Sequence, residues 1–254
     1  MSIVTLTTDF GTKDFYTGVL KGAILAQNPQ VNIVDLSHQI SPFNILEGAY
    51  MVRNAFSEFP EGTIHVIAVD ASISENTRIL LAVRKSQFFI MPDNGLLALV
   101  FDHSPGRVYQ LEKNQGQGDV LTKTVAHAIA RLLEGEDPVY FGKETSQYES
   151  RTSIQPVVTG TVIRGTIIHV DSFDNAVVNI SRELFESTVG EGDFEILFNR
   201  NSVSNLSQSY SDVPEGEKLC RFNESDMLEI SIHKGKAAGL LGLRVGGAVI
   251  IDFG

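Results

Sequence analysis

Between Ile64 and Asp70 the chain reads IHVIAVD, apolar almost without interruption. A strand of that kind has no polar face to offer water, so it needs a sheet covered on both sides. The covering elements are legible nearby. Phe15, Val19, Leu20, Ala23 and Ile24 share one helical face, and Ile45, Ala49, Val52, Ala55, Phe56 and Phe59 repeat at three and four. A third helix is predicted over Val120–Leu133, with Asp119 as its N-cap. Short β-rich runs fall at Ile3–Leu6, Val31–Leu36, Ile79–Val83, Gln87–Met91 and Val108–Leu111. Strands alternating with helices predict an α/β layer with a mostly parallel sheet.

From Thr159 the pattern changes to strands and turns: GTVIRGTIIHV, AVVNI, FEILF, MLEISIH and AVIIDF. Only short helical pieces fit, near Arg182–Glu186 and Lys236–Leu241. This predicts an all-β unit, barrel or sandwich. The polar stretch KETSQYESRTSIQPV, residues 143–157, marks the boundary. The expected domains are therefore residues 1–150, α/β, and 158–254, all-β.

Composition narrows the function. With 31 acidic against 20 basic residues the net charge is −11, which repels phosphate backbones and argues against nucleic acid as a partner. The single cysteine, Cys220, forms no internal disulfide or thiolate cluster and reads as a small buried hydrophobe. No signal-peptide pattern and no apolar run of membrane-spanning length is present, which predicts a cytoplasmic protein without a membrane partner. The chain has no G-x-G-x-x-G after a strand, no phosphate loop, no H-E-x-x-H and no G-x-S-x-G. Its six histidines lack close ligand spacing, so no metal is expected.

In open α/β sheets ligands bind beyond the carboxyl ends of strands, and three polar clusters fall there. The first is Thr7-Thr8-Asp9-Phe10-Gly11 with Asp14 beyond it. A carboxylate at Asp9 suits a ribose diol, while Asp14 reads equally as a helix N-cap. The second is Asp70-Ala71-Ser72 with Arg78 following, which also reads as a structural ion pair. The third is Pro92-Asp93-Asn94-Gly95, where Asn-Gly is itself a turn signal. In the β unit, Asp171-Ser172-Phe173-Asp174-Asn175 reads as a plain turn or as a stacking and hydrogen-bonding pair. Tyr210 adds an aromatic.

Taken in order, TTDFG with Asp14, VDLSHQI, GTIHVIAVD, PDNGLL, DSFDN with NI, YSDVPEGE, and LEISI with AAGLLGL span Ile3 to Phe253. The series resembles the S-adenosyl-L-methionine (SAM) hydroxide adenosyltransferases, adenosine-forming SAM hydrolases related to the SAM-dependent fluorinase and chlorinase. The resemblance implies a Rossmann-like α/β domain followed by a β-barrel. It also implies a homotrimer that binds SAM between the first domain of one subunit and the second domain of the next. SAM is the substrate, and no separate cofactor is implied.

Carried onto this sequence, the resemblance gives Asp9 the ribose hydroxyls and places Asp14 near the methionine amino group. Phe173 and Asn175 match an F-x-N element, with Asp174 where the family usually has glycine. Ser225 falls near the methionine carboxylate, Tyr210 flanks the adenine, and Asn94 joins the substrate-binding set. Asp70 and Arg78 match the catalytic Asp and Arg that position and polarise water, although the loop between them reads DASISENTR rather than D-P-G-V-G-x-x-R. The family's F-H-G-R-D block is replaced by Gln115-Gly116-Gln117-Gly118-Asp119, and neither His103 nor His127 takes the missing histidine's place by spacing. Hydrolysis of SAM to adenosine and methionine is the expected activity. The missing histidine leaves open a protein that binds SAM or adenosine without efficient turnover. A halide-using adenosyltransferase is a weaker alternative.

Overall fold

The computed structural model describes residues 2–72, 77–102, 104–114 and 119–254. The chain divides into two compact units, Met1–Ser153 and Ile154–Gly254.

The first unit contains strands β1 (Ile3–Thr8), β2 (Asn32–Ser37), β3 (Ile64–Ala68), β4 (Ile79–Arg84), β5 (Gln87–Pro92), β6 (Arg107–Leu111) and β7 (Gly142–Glu144). Its helices are α1 (Tyr16–Gln27), α2 (Ile45–Ala55), α3 (Leu96–Phe101) and α4 (Val120–Leu133). The strands form one sheet in the order β2-β1-β3-β5-β4-β6-β7. β2, β1, β3 and β5 are parallel. β4 runs antiparallel to both β5 and β6, and β7 antiparallel to β6. The sheet is therefore mixed rather than mostly parallel. The reversal comes from the tight β4–β5 hairpin, whose turn residues Lys85 and Ser86 both have positive φ. Paired positive φ values match the right-handed strand twist of two-residue hairpins.

The apolar run of β3 serves both faces, as its sequence requires. Ile64, Val66 and Ala68 enter one core with Leu20 and Ile24 of α1 and Leu121, Val125 and Ile129 of α4. Ile67 and Val69 enter the other, with Ala49 and Val52 of α2 and all of α3 except Ala98. The sequence reading has no counterpart to α3. Its segment LLALVF is buried at every position, so no amphipathic period betrays a helix. Gly95, just before it, has φ +101°, and a Cβ there would strike the side chain of Arg151. α4 starts as expected: the Asp119 carboxylate accepts the Thr122 N–H at 2.8 Å.

The second unit comprises β8 (Val157–Thr159), β9 (Val162–Val170), β10 (Ala176–Ser181), α5 (Arg182–Val189), β11 (Glu195–Phe198), β12 (Asn201–Val203), β13 (Lys218–Phe222), β14 (Met227–Ile232), α6 (Ala237–Leu241) and β15 (Ala248–Asp252). Its strands run β12-β11-β15-β9-β10-β14-β13, with β8 on β9, and every ladder is antiparallel. The two ends of this order approach each other where the Lys218 ammonium donates to Asn201 Oδ1 at 3.3 Å. The result is a nearly closed, barrel-like sheet. Its core includes Ile163, Val178, Ile180, Phe198, Leu228, Ile230 and Ile251, together with Cys220. Burial pushes the Cys220 thiol pKa up, so it behaves as a small apolar group.

One buried group in the first unit makes stability depend on pH. His65 is fully buried, its Nδ1 lies 2.8 Å from Thr5 Oγ1, and its ring stacks on Phe89 at 4.7 Å. Burial lowers its pKa from 6.5 to about 4. The folded state then holds fewer protons than the unfolded state between those values, so stability falls as pH drops through that window. Chemical denaturation should show a loss of about 2 kcal/mol from this group between pH 7 and pH 4.5. His65→Leu should flatten that slope.

Candidate active site

At the carboxyl edge of the parallel strands the ladders stop, and side chains take over the holding of the loops. Asp9 follows β1. One of its carboxylate oxygens, Oδ2, accepts the N–H of Phe43 at 2.9 Å and that of Asp70 at 3.1 Å. Asp70 follows β3 with φ +47°, outside the usual range for a residue with a side chain. Asn94 follows β5 and donates its Nδ2 to the carbonyls of Val69 at 3.1 Å and Asp70 at 3.2 Å. Its Oδ1 accepts the Leu96 N–H at 3.2 Å, at the start of α3. The Asp93 N–H donates to the Arg78 carbonyl at 2.8 Å, and the Arg78 guanidinium pairs with the Asp93 carboxylate. Asp9, Asp70 and Asn94 thus belong to one hydrogen-bonded series, and the peptide bond from Asn94 to Asp93 links it to Arg78. Among the described residues the ion pair of Arg78 is with Asp93, not Asp70.

Asp14 is exposed ahead of α1. The N-cap position belongs to Phe15 and carries no side-chain cap, which corrects the N-cap reading of Asp14. His127 is exposed on α4. His103, residues 73–76 and the stretch Gln115–Gly118 lie outside the described residues.

The sequence reading passed over His38, whose signal was its place in VDLSHQI just after β2. Its Nδ1 lies 2.9 Å from Thr8 Oγ1, its Nε2 lies 3.0 Å from Asp35 Oδ1, and its carbonyl accepts the Gly11 N–H at 2.8 Å. It therefore grips the turn around Asp9 on both sides. Lys21 donates to Asp35 Oδ2 at 2.6 Å. Partial burial opposes ionisation of Asp35, but hydrogen bonds and charge from Lys21 and His38 outweigh it and hold the carboxyl below its usual pKa. Beside this edge Phe43 is 72% exposed, and the exposed rings of Phe15 and Tyr16 lie 4.5 Å apart.

The second unit carries the other expected residues. Asp171 Oδ1 accepts the N–H groups of Phe173 at 2.9 Å and Asn175 at 2.8 Å, and Oδ2 accepts Asn175 Nδ2 at 3.0 Å. This locks the β9–β10 turn and leaves the Phe173 ring 78% exposed. Asp174 has φ +72°, a conformation that favours glycine and tolerates aspartate. Its carboxylate accepts the Gly239 N–H at 2.8 Å, tying the turn to α6. The register pairs Ala176 with Ile230 and Ser181 with Met227. Phe173 and Asn175 therefore lie at one end of the β10–β14 pair, and Ser225 at the other. Ser225 lines a shallow cavity of about 470 Å³ with Ser181, Arg182 and Asp226.

Tyr210 belongs to a polar group on the outward side of β13 and β14. Its hydroxyl donates to Glu229 Oε1 at 2.9 Å, Ser231 donates to the same oxygen at 2.7 Å, and the Arg221 guanidinium lies 4.7 Å from the Tyr210 ring centre. Burial first, then the Glu229 carboxylate, raises the Tyr210 pKa. The phenol therefore stays neutral and the ring is held from two sides.

Chemically, the first unit gathers carboxylates and a guanidinium at strand ends, a set able to hold a diol and to orient a water molecule. The second presents two aromatic rings and an amide, a set able to stack on a base. The positive φ at Asp174 gives a direct check: Asp174→Gly should change stability by less than about 1 kcal/mol, and Asp174→Val should cost about 1–3 kcal/mol in thermal unfolding.

Residues 4–139 match the family model described as SAM hydroxide adenosyltransferase N-terminal domain, and residues 165–250 match the C-terminal domain model of the same name. The chain is 26% identical to a protein of Methanocaldococcus jannaschii named (R)-S-adenosyl-L-methionine hydrolase, over 95% of this chain and 92% of that one. It is 27% identical to a protein of the same name from Thermus thermophilus, over 94% of each. A protein of an Actinoplanes species named fluorinase is 27% identical over 71% of this chain and 72% of its own. Among solved structures, an uncharacterised conserved protein from Thermotoga maritima superposes with a TM-score of 0.88 at 26% identity, covering 98% of this chain and 99% of that one.

Proposed function

The chain belongs to the SAM hydroxide adenosyltransferase family, and on that premise we propose that it hydrolyses S-adenosyl-L-methionine to adenosine and L-methionine. One observation carries the reading: at the carboxyl edge of the sheet, hydrogen bonds join Asp9 to Asp70 and Asp70 to Asn94, and Asp93, the residue before Asn94, holds Arg78 by a backbone hydrogen bond and an ion pair. The relatives named SAM hydrolase align with this chain over nearly its full length.

In this reading Asp9 accepts hydrogen bonds from the ribose hydroxyls. One of its oxygens already bonds two backbone N–H groups, which leaves Oδ1 to face the sugar. Asp14, exposed and uncapped, faces the ammonium of the methionine part. Asn94 supports the site by fixing the backbone of Asp70. Phe173, Asn175 and Tyr210 receive the adenine, and Ser225 receives the methionine carboxylate. Asp70 and Arg78 hold a water molecule in line with the ribose C5′–S bond. The water oxygen bonds to C5′, the C–S electron pair passes to sulfur, and methionine leaves as a neutral thioether. The water proton goes to solvent by way of Asp70. Orientation and partial desolvation of the nucleophile are the main contributions, because the sulfonium is already a good leaving group. No additional cofactor takes part. The Rossmann-like, closed-barrel, trimeric and cytoplasmic assignments belong to the same proposal, with the site shared between subunits. The exposed rings of Phe15, Phe43 and Phe173 support a shared site, since such rings are more often covered than left in water.

Purified protein incubated with SAM should release adenosine and methionine in equal amounts. Asp70→Asn should lower kcat by about 10²–10³-fold, with adenosine affinity by calorimetry within about threefold of wild type. Binding without product above the spontaneous rate would instead establish the non-catalytic alternative. Chloride-dependent formation of a 5′-halonucleoside would establish the halide-using one.

A further inference from the structure

We propose that Asp93 is the positioning residue for Arg78, so that the Asp93-Asn94 turn fixes both halves of the water-holding pair. The inference rests on the hydrolase reading above.

The Asp93 side chain is only 2% exposed. A carboxylate buried that deeply is costly unless its oxygens are paired. Oδ2 faces the Arg78 guanidinium, and Oδ1 accepts the Glu149 N–H at 2.7 Å. Its own N–H reaches the Arg78 carbonyl at 2.8 Å, so Asp93 holds Arg78 by main chain and by side chain. The register explains the meeting. Ile79 pairs with Pro92, which sets Arg78, just before β4, opposite Asp93, just after β5.

Arg78 is not buried with its partner: its side chain remains 32% exposed. A guanidinium has five N–H donors in a rigid fork, so fixing one edge on Asp93 fixes the direction of the rest. Asn94, the next residue, fixes the Asp70 backbone through two carbonyl contacts. Two adjacent side chains therefore set the distance and angle between Asp70 and Arg78. The Asn-Gly turn signal hid this role in the sequence.

The test is steady-state hydrolysis of SAM by the full chain. Asp93→Asn should lower kcat about 10–100-fold with KM within about threefold. In an Arg78→Ala background it should lower kcat no further, because a residue acting through another is non-additive with it. Asp93→Glu keeps the buried charge but displaces it by one methylene, and should give a smaller kcat loss even if Asp93→Asn fails to fold. Wild-type kcat in either variant, or additive losses with Arg78→Ala, would overturn the positioning role and leave the hydrolase reading standing. A wild-type chain without turnover would overturn that reading, and this role with it.

Discussion

One carboxylate oxygen at the sheet edge holds three chain segments together. Asp9 Oδ2 bonds the N–H of Phe43, in the connection from β2 to α2, and the N–H of Asp70, after β3, while Asp9 itself directly follows β1. Parallel strands need such a device. Their ladders satisfy the backbone only within the sheet, and the groups just beyond must find other partners or water. Here those partners are polar side chains rather than more strand. The edge is therefore both ordered and rich in hydrogen-bonding groups, two conditions that a binding site for a polar ligand must meet together.

The same economy recurs in the second unit. Asp171 organises its turn through three hydrogen bonds, and Asp174 fastens that turn to α6. Asp174 accepts a backbone angle that favours glycine and adds a contact that glycine lacks. Rigid turns carry the exposed Phe173 ring and the Asn175 amide. Tyr210 is likewise held by a charge below its ring and an acceptor at its hydroxyl. In both units the residues expected at the site are held in place by hydrogen bonds to neighbouring groups.

Most of the fold was legible because burial leaves periodic traces. The two-faced β3, the amphipathic α2 and α4 and the capping Asp119 all declared themselves. α3 did not, because a helix buried all round has no period, and β13 did not, because Lys218 and Arg221 break up the apolar run of KLCRF. The mixed sheet was hidden by a hairpin turn made of Lys85 and Ser86, without the Asn-Gly signature that two positive φ angles usually bring. The site was legible as a list of strand ends. What joined them was not: Asp93 and His38 act through partners far off in the chain, and the sequence carries no spacing signal for a contact made by topology.

The reversal of β4 has a consequence for how freely the chain can vary. Because β4 runs against β3 and β5, its first residues arrive at the same edge where those strands finish. Asp70 is thus fixed by the end of one strand and Arg78 by the beginning of another, each with its own anchors in the sheet. The strand ends, and not the segment between them, set the separation of these two groups. Such a segment can change its composition, and even its length, while the two groups keep their places. That tolerance accommodates the sequence DASISENTR, which is one residue longer from Asp to Arg than the expected D-P-G-V-G-x-x-R.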